Sequence, residues 1–267
     1  MPREFALLGD PVSHSLSPAI HGAAFAAWGV NARYVLRRVD RRRVPEALLE
    51  VAARGGGNVT LPHKELVAKL VDEPTGAVVE TGACNCFWPT ATGVAGDNTD
   101  VGGFLLALGD QAGGLAGATV LMLGAGGAAR AVLHALQQVG VARVDIWNRT
   151  GSRAAALTAT SDENVVALDH LPDGGGYDLI VNATRLGLSN SDPLPIDLGG
   201  GVGRSVFDLV YSPSGTAWVR HAESLGVPAR DGRSMLVHQA ALSLRHWFPD
   251  REPSLSAMFA AVGRERS

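Results

Sequence analysis

The sequence predicts an α/β protein built from two alternating strand–helix series. Two observations predict it. Short apolar runs bounded by turn residues alternate with helical patterns along the first part of the chain, and the alternation starts again after a glycine-rich break, DQAGGLAGA at 110–118. Such alternation yields a largely parallel sheet with helices on both faces, because parallel strands need a crossover, usually a helix, to connect them.

In the first series EFALLGD reads as a strand and SPAIHGAAFAAWGV as a helix. Ser17 is placed to cap that helix, and Pro18 suits its first turn, where a missing N–H costs nothing. ARYVLRRV follows as a strand, VPEALLEVAA as a helix, GNVTLP as a strand, HKELVAKLV as a helix and GACNCFW as a strand. Cys84 and Cys86, two apart, are expected on one face of that last strand, a poor geometry for a disulfide. No companion Cys/His cluster supplies further ligands, so no metal is expected. In the second series TVLMLGAGGAARAVLHAL reads as strand, turn and helix, and RVDIWNR, VVAL, DLIVNAT and SVFDLV as strands. SMLVHQAALSLRHWF has apolar spacing of about 3.6 residues and reads as a long helix able to close back on the first domain.

Bulk properties exclude several functions. The 267 residues are 46% hydrophobic and 18% charged, the balance of an ordinary globular protein with ample core. A net charge of −3 offers nothing to nucleic acid or an anionic membrane. The dense basic run from Arg37 to Arg43 reads as a solvated rim where a helix begins. No apolar run approaches the roughly 20 residues of a membrane span, and the N-terminus has no signal-peptide pattern, so a cytoplasmic location is expected.

VLMLGAGGAARAV sets Gly124, Gly126 and Ala129 in a GxGxxA pattern, after an apolar strand and at the opening of a helix. The first glycine allows a tight turn, the second lets a diphosphate approach the backbone, and the small third residue lets helix and strand pack closely. The helix N-terminus adds free N–H groups. This context marks a Rossmann-type dinucleotide-binding domain, with Gly124, Ala125, Gly126, Gly127 and Ala128 as its cradle. The next strand ends in IWNRTGSRA, offering Asn148, Arg149, Thr150 and Arg153 where an NAD site usually carries a carboxylate. A guanidinium forks onto a phosphate and stacks on an adenine, so NADP is expected over NAD.

A nicotinamide cofactor exchanges hydride, and a partner group must manage the accompanying proton. Polar residues gather at the predicted strand ends of the first domain, where ligands of parallel sheets bind. GDPVSHSLSPAIH, NVTLPHKE, GACN, GDNTDVGGF, GAGGAARA, NRT, NAT, DLVYSPSGT and DGRSMLVHQA, in that order, resemble the successive signatures of the shikimate dehydrogenase family. The resemblance runs from about residue 5 to about residue 248. It implies an NADP-dependent oxidoreductase acting on a CH–OH group, reversibly reducing 3-dehydroshikimate to shikimate in aromatic amino-acid biosynthesis. It also implies a substrate-binding and catalytic domain of residues 1–103 with 235–267, and an NADP domain of residues 104–234. By matching positions, Ser15 and Ser17 hold the substrate carboxylate, while Asn58, Thr60, Asn85, Tyr211 and Gln239 hold ring hydroxyls and flank the reacting carbon. Lys64 and Asp100 form the catalytic pair, and Gly232 borders the cofactor. The expected partner is this small molecule, with the chain a monomer or homodimer.

The chain departs from the family pattern at Gly22, which follows His21 and is expected to affect helix packing. It departs again at Cys86, beside Asn85, which bears on the choice of ring acid, and at Arg185 in NATRLG. Alternative readings are a quinate or aminoshikimate dehydrogenase of the same family and a non-catalytic ligand sensor keeping the fold. Gly102 and Gly103 are expected to permit a hinge. Lys64 is one of only two lysines among 23 basic residues. Protonating the alkoxide formed by ketone reduction needs a charged donor that can give its proton up, which an ammonium does and a guanidinium does not. A neighbouring Asp100 carboxylate orients that ammonium and keeps it charged. His63, His14, His21 and His238 are read as packing residues.

Overall fold

The computed structural model describes residues 3–109, 114–172, 175–189, 191–199, 204–212 and 214–263, so residues 110–113 of the expected glycine-rich break lie outside the described residues. The chain divides into two compact units, Met1–Ala107 with Ser234–Ser267, and Leu108–Arg233.

The elements of the first unit are β1 (Arg3–Gly9), α1 (Ser17–Trp28), β2 (Ala32–Arg38), α2 (Val44–Ala52), β3 (Gly57–Val59), α3 (Lys64–Val67), β4 (Glu73–Pro74), α4 (Gly76–Thr81), β5 (Cys86–Pro89), β6 (Val94–Asp97) and α5 (Thr99–Leu108). From the far end of the chain come α9 (Arg233–Trp247) and α10 (Leu255–Ala260). The strands order as β2–β1–β3–β5–β6–β4. β2, β1 and β3 run parallel, but β5 is antiparallel to both β3 and β6. The sheet is therefore mixed where a largely parallel one was expected. A short turn at 90–93, closed by Thr90 N–H to Gly93 O at 2.8 Å, joins β5 to β6, and only an antiparallel pair can use so short a link. β4 and β6 escaped the sequence reading because runs this short carry no period; pairing with a neighbour makes them strands.

Side-chain alternation on β1 splits the core into two layers. Phe5 and Leu7 pack with α1, α9 and α10 through Ile20, Phe25, Leu244, Trp247 and Met258. Ala6 and Leu8 pack with α2 and α3 through Val44, Leu48, Val51 and Val67. The long C-terminal helix thus closes on the first unit. The basic run ends β2 and passes through an exposed single 3₁₀ turn, Arg41–Arg43, into α2.

Further expectations change. Cys84 and Cys86 face opposite layers, because β5 begins only at Cys86 and Cys84 precedes the alternation. Both thiols are buried and free. Ser17 does not cap α1: Leu16 holds the cap position, and the Ser17 amide and hydroxyl both bond to the Ser15 hydroxyl. Gly22 is itself exposed on α1, and an added Cβ there would meet nothing within 4 Å, so it has no packing role.

Gly102 and Gly103 are inside α5, not in a hinge, and lie within the first compact unit, which runs to residue 107. They allow α5 and α9 to touch: a Cβ on Gly103 would lie 2.7 Å from Gln239 Cβ and 3.0 Å from its amide nitrogen. Backbone cannot rotate aside as a long side chain can. Gly103→Ala should therefore cost about 1–3 kcal/mol in thermal unfolding and displace Gln239, raising KM for the substrate.

The second unit contains β7 (Thr119–Leu123), α6 (Gly127–Gln138), β8 (Arg143–Trp147), α7 (Gly151–Thr158), β9 (Val165–Ala167), β10 (Leu179–Asn182), β11 (Val206–Asp208), α8 (Ala217–Ser224) and β12 (Ala229–Asp231). Its sheet is parallel throughout, in the order β12–β11–β10–β7–β8–β9. The order reverses between β7 and β10, the switch point where doubly wound sheets bind nucleotides. Among the described residues no helix is long and apolar enough to cross a membrane, and no group of three or more His, Cys, Asp or Glu could hold a metal.

Candidate active site

Register aligns the first unit's polar residues. Leu7, Asn58, Cys86 and Asp97 stand abreast across β1, β3, β5 and β6, so their side chains share the sheet face that packs on α9. On α9, Gln239, Ser243 and His246 follow at i, i+4 and i+7, one helix face. The two rows meet. Asn58 Nδ2 donates to Ser243 Oγ at 2.8 Å, and His246 Nε2 lies 2.8 Å from Asp97 Oδ2.

Lys64 Nζ, at the first residue of α3, forms an ion pair with Asp100 Oδ2 in the first turn of α5, both side chains being about nine-tenths buried. Asp100 Oδ1 accepts from Asn85 Nδ2 at 2.8 Å. Asn85 Oδ1 in turn accepts from the Thr99 amide at 2.7 Å and the Thr99 hydroxyl at 3.1 Å, and its Nδ2 reaches Gln239 Oε1 at 3.3 Å. Each polar atom of the Asn85 amide is engaged, and the longest bond, to Gln239, is the one a ligand hydroxyl can replace most easily. Asn58 is held on three sides: it accepts from Tyr34 OH at 2.8 Å and donates to Asn85 O and Ser243 Oγ.

Behind this network His21 donates Nδ1–H to Ser17 O at 2.8 Å and stacks on Tyr34 with ring centroids 4.1 Å apart. Burial pushes the His21 imidazole down to about 4, against the opposing pull of that carbonyl, so the ring is neutral at physiological pH. Burial also raises the Tyr34 phenol well above its usual range, keeping it a donor to Asn58. Cys86 is fully buried, and its thiol, pushed up by burial, points to Ser243, so it supports the network from behind. His63 is buried and bonds Val39 O through Nε2, a packing role. Ser15 and Ser17 pair through their hydroxyls, and Thr60 sits half-buried where the chain leaves β3.

Asp97 carries a second, supporting cluster. Burial would raise its carboxyl, but hydrogen bonds from His246 and from Thr75 Oγ1, 2.5 Å away, outweigh that and lower it. A depressed carboxylate stabilises the fold above its unfolded value and loses that contribution as pH falls through the folded one. His246→Ala should therefore move acid unfolding to higher pH, and at neutral pH cost about 1.5–3 kcal/mol, the size of a hydrogen bond to a charged group.

In the second unit, Gly124, Ala125, Gly126, Gly127 and Ala128 form the turn from β7 into α6, and Ala129 is fully buried behind it. Gly124 has φ +111°, and a Cβ there would lie 2.8 Å from Ala183 O across the switch point. Gly126 occupies the cap position without a side-chain bond, and an added Cβ would meet nothing within 4 Å. Open space before unsatisfied helix N–H groups fits an anionic diphosphate. Gly124 N–H donates to Trp147 O at 2.8 Å, tying the turn to the end of β8, where Asn148, Arg149, Thr150 and Arg153 follow. Arg149 and Arg153 are exposed, with no ion-pair partner among the described residues, and Arg185 is exposed too.

Tyr211 is half-buried and belongs to this second unit. Gly232 is required by backbone: a Cβ would lie 2.2 Å from Leu209 O. Tyr34, Thr99 and Ser243 were not singled out in the sequence. Thr99 lies inside GDNTD and Ser243 one helical turn past Gln239, so spacing could have flagged both; Tyr34 has no local signal.

Comparison with known proteins agrees with this geometry. Residues 7–87 match the family described as shikimate dehydrogenase substrate binding domain, and residues 107–186 match shikimate/quinate 5-dehydrogenase. The shikimate dehydrogenase (NADP(+)) of Rubrobacter xylanophilus is 41% identical over 97% of this chain and 95% of its own. That of Methylobacterium radiotolerans is 40% identical over 94% and 92%. The shikimate 5-dehydrogenase of Thermus thermophilus, solved with NADP(H) and shikimate, superposes with a TM-score of 0.86 at 37% identity, covering 99% of each chain. The 5-ketofructose reductase of a Gluconobacter strain superposes at 0.85 with 28% identity and 98% of each chain. With Lys64, Asp100 and the nucleotide turn all in place, the chain belongs to the shikimate dehydrogenase family of NADP-dependent oxidoreductases.

Proposed function

We propose that the first unit binds 3-dehydroshikimate or shikimate and that Lys64 and Asp100 move the proton that accompanies hydride transfer. The observation that carries this is the nearly buried Lys64–Asp100 pair, its second carboxylate oxygen fixed by Asn85. In the reducing direction bound NADPH supplies the hydride. Lys64 Nζ then gives a proton to the developing alkoxide, and Asp100 holds the ammonium aimed until that moment. In the oxidising direction Lys64 must first be neutral to accept the hydroxyl proton.

Ser15 and Ser17 offer hydroxyls to the substrate carboxylate. Thr60, Asn58, Asn85, Gln239 and Tyr211 serve the ring, and the committed amides of Asn58 and Asn85 are preset for it before ligand arrives. The turn from Gly124 to Ala128 receives the cofactor diphosphate. Asn148, Thr150 and the guanidinium groups of Arg149 and Arg153 receive the adenosine 2′-phosphate, while Gly232 borders the cofactor from the far side of the sheet, after β12.

Initial rates with shikimate, quinate and 3-dehydroshikimate, each with NADP(H) and NAD(H), test the reading. The highest kcat/KM is expected for shikimate with NADP. A preference for quinate would move the chain to the sister activity, and absence of turnover with every pair would leave the sensor.

A further inference from the structure

Asp208, the last residue of β11, is fully buried among polar groups that the proton-transfer scheme does not use. Its Oδ1 accepts from Asn182 Nδ2 at 2.8 Å and from the Val210 amide at 3.0 Å, and its Oδ2 accepts from Thr216 Oγ1 at 2.6 Å. Three donors converge on it. Asn182 spends its second Nδ2 hydrogen on Leu186 O at 3.0 Å, and its Oδ1 takes both the amide and the hydroxyl of Thr184. One carboxylate therefore ties down two loops: 183–187, which abuts the nucleotide turn at Gly124, and 209–211, which carries Tyr211. The loops also lie close together, since a Cβ added at Gly187 would fall 3.8 Å from Val210 Cγ1.

We infer that Asp208, acting through Asn182 and Val210, is the positioning residue that presets these two loops for NADP. The inference rests on the functional reading above. Folding alone does not favour a carboxylate here, since a neutral asparagine fills the same space without burying charge. The charge has a different use: it accepts all three hydrogen bonds at charge-assisted strength.

Burial pushes the Asp208 carboxyl up to about 6, opposed by its Thr216, Val210 and Asn182 hydrogen bonds, with the neighbouring Asp231 adding to the rise. Asp231 on β12 is itself paired to Arg233 at 2.7 Å. From β10 and from the N-cap of α8, Asp208 meets only the neutral Asn182 and Thr216. Protonation below that point puts a hydrogen where Thr216 donates, so the Thr216 hydroxyl must turn away and the clamp slackens.

The test measures NADP binding by calorimetry, with thermal midpoints, for wild type and Asp208→Asn from about pH 5 to about pH 8. Wild-type affinity should fall about tenfold as pH drops through the Asp208 titration, beyond any change due to the cofactor's own 2′-phosphate, which both proteins share. Asp208→Asn should bind about tenfold more weakly than wild type at the alkaline end and lack that step. Its stability relative to wild type should rise with pH, because only wild type must charge a carboxyl whose folded value lies above its unfolded one. Thr216→Val removes a donor that favours the charged form, so its step should move to higher pH. Parallel affinity curves for folded wild type and Asp208→Asn would overturn the inference, as would a loss of affinity that only tracks lost stability. A wild-type protein that binds no NADP at any pH would overturn the functional reading and the inference together.

Discussion

Lys64→Ala is expected to lower kcat by a factor on the order of 10²–10⁴, the usual contribution of general acid–base catalysis. Lys64→Arg should be nearly as impaired, because a guanidinium keeps the charge but does not release the proton. The expectation needs a stability control. Removing Lys64 leaves the Asp100 carboxylate buried without its cation, and breaking a buried pair in this way costs about 3–5 kcal/mol. The double variant Lys64→Met with Asp100→Asn removes both charges and should recover much of that stability without recovering turnover. Rates at matched folded fraction then separate chemistry from folding. A folded Lys64→Ala protein with near-wild-type kcat would dismiss the pair.

Replacing Arg149 and Arg153 by alanine should weaken NADP by roughly one to three decades in apparent KM while leaving NAD almost unchanged. Each charge-assisted hydrogen bond to the 2′-phosphate contributes about 1.5–3 kcal/mol, and NAD lacks that phosphate. Both side chains are exposed. Their removal should shift stability by no more than about 0.5 kcal/mol, so the readout is free of folding effects. Equal losses for the two cofactors would mean that the guanidinium groups recognise something common to both, such as the adenine ring.

The reach of local sequence reading is clearest at two places. VLMLGAGGAARAV could be read directly because each requirement is met by near neighbours: an apolar strand, a glycine at φ +111°, a bare helix N-terminus and a buried small residue. The candidacy of Lys64 rested on the family resemblance together with what an ammonium can do that a guanidinium cannot. The orientation of β5 and the opposite facing of Cys84 and Cys86 were not legible. They depend on where a strand begins and which way its partner runs, and neither leaves a local period.

The residues that hold the site rigid were still less visible. Ser243 reaches Asn58 across 185 positions of chain, and Tyr34 reaches it from 24 away. Asp208 meets Asn182 across 26. Residue types and short-range spacing sufficed for the two alternating series and the nucleotide turn, whereas the pairing of Lys64 with Asp100, 36 positions apart, was implied by the family resemblance. Which amide each serine, threonine or tyrosine restrains was decided by strand register and helix crossing, because a hydrogen bond needs its partners within about 3 Å and chain proximity does not set that distance.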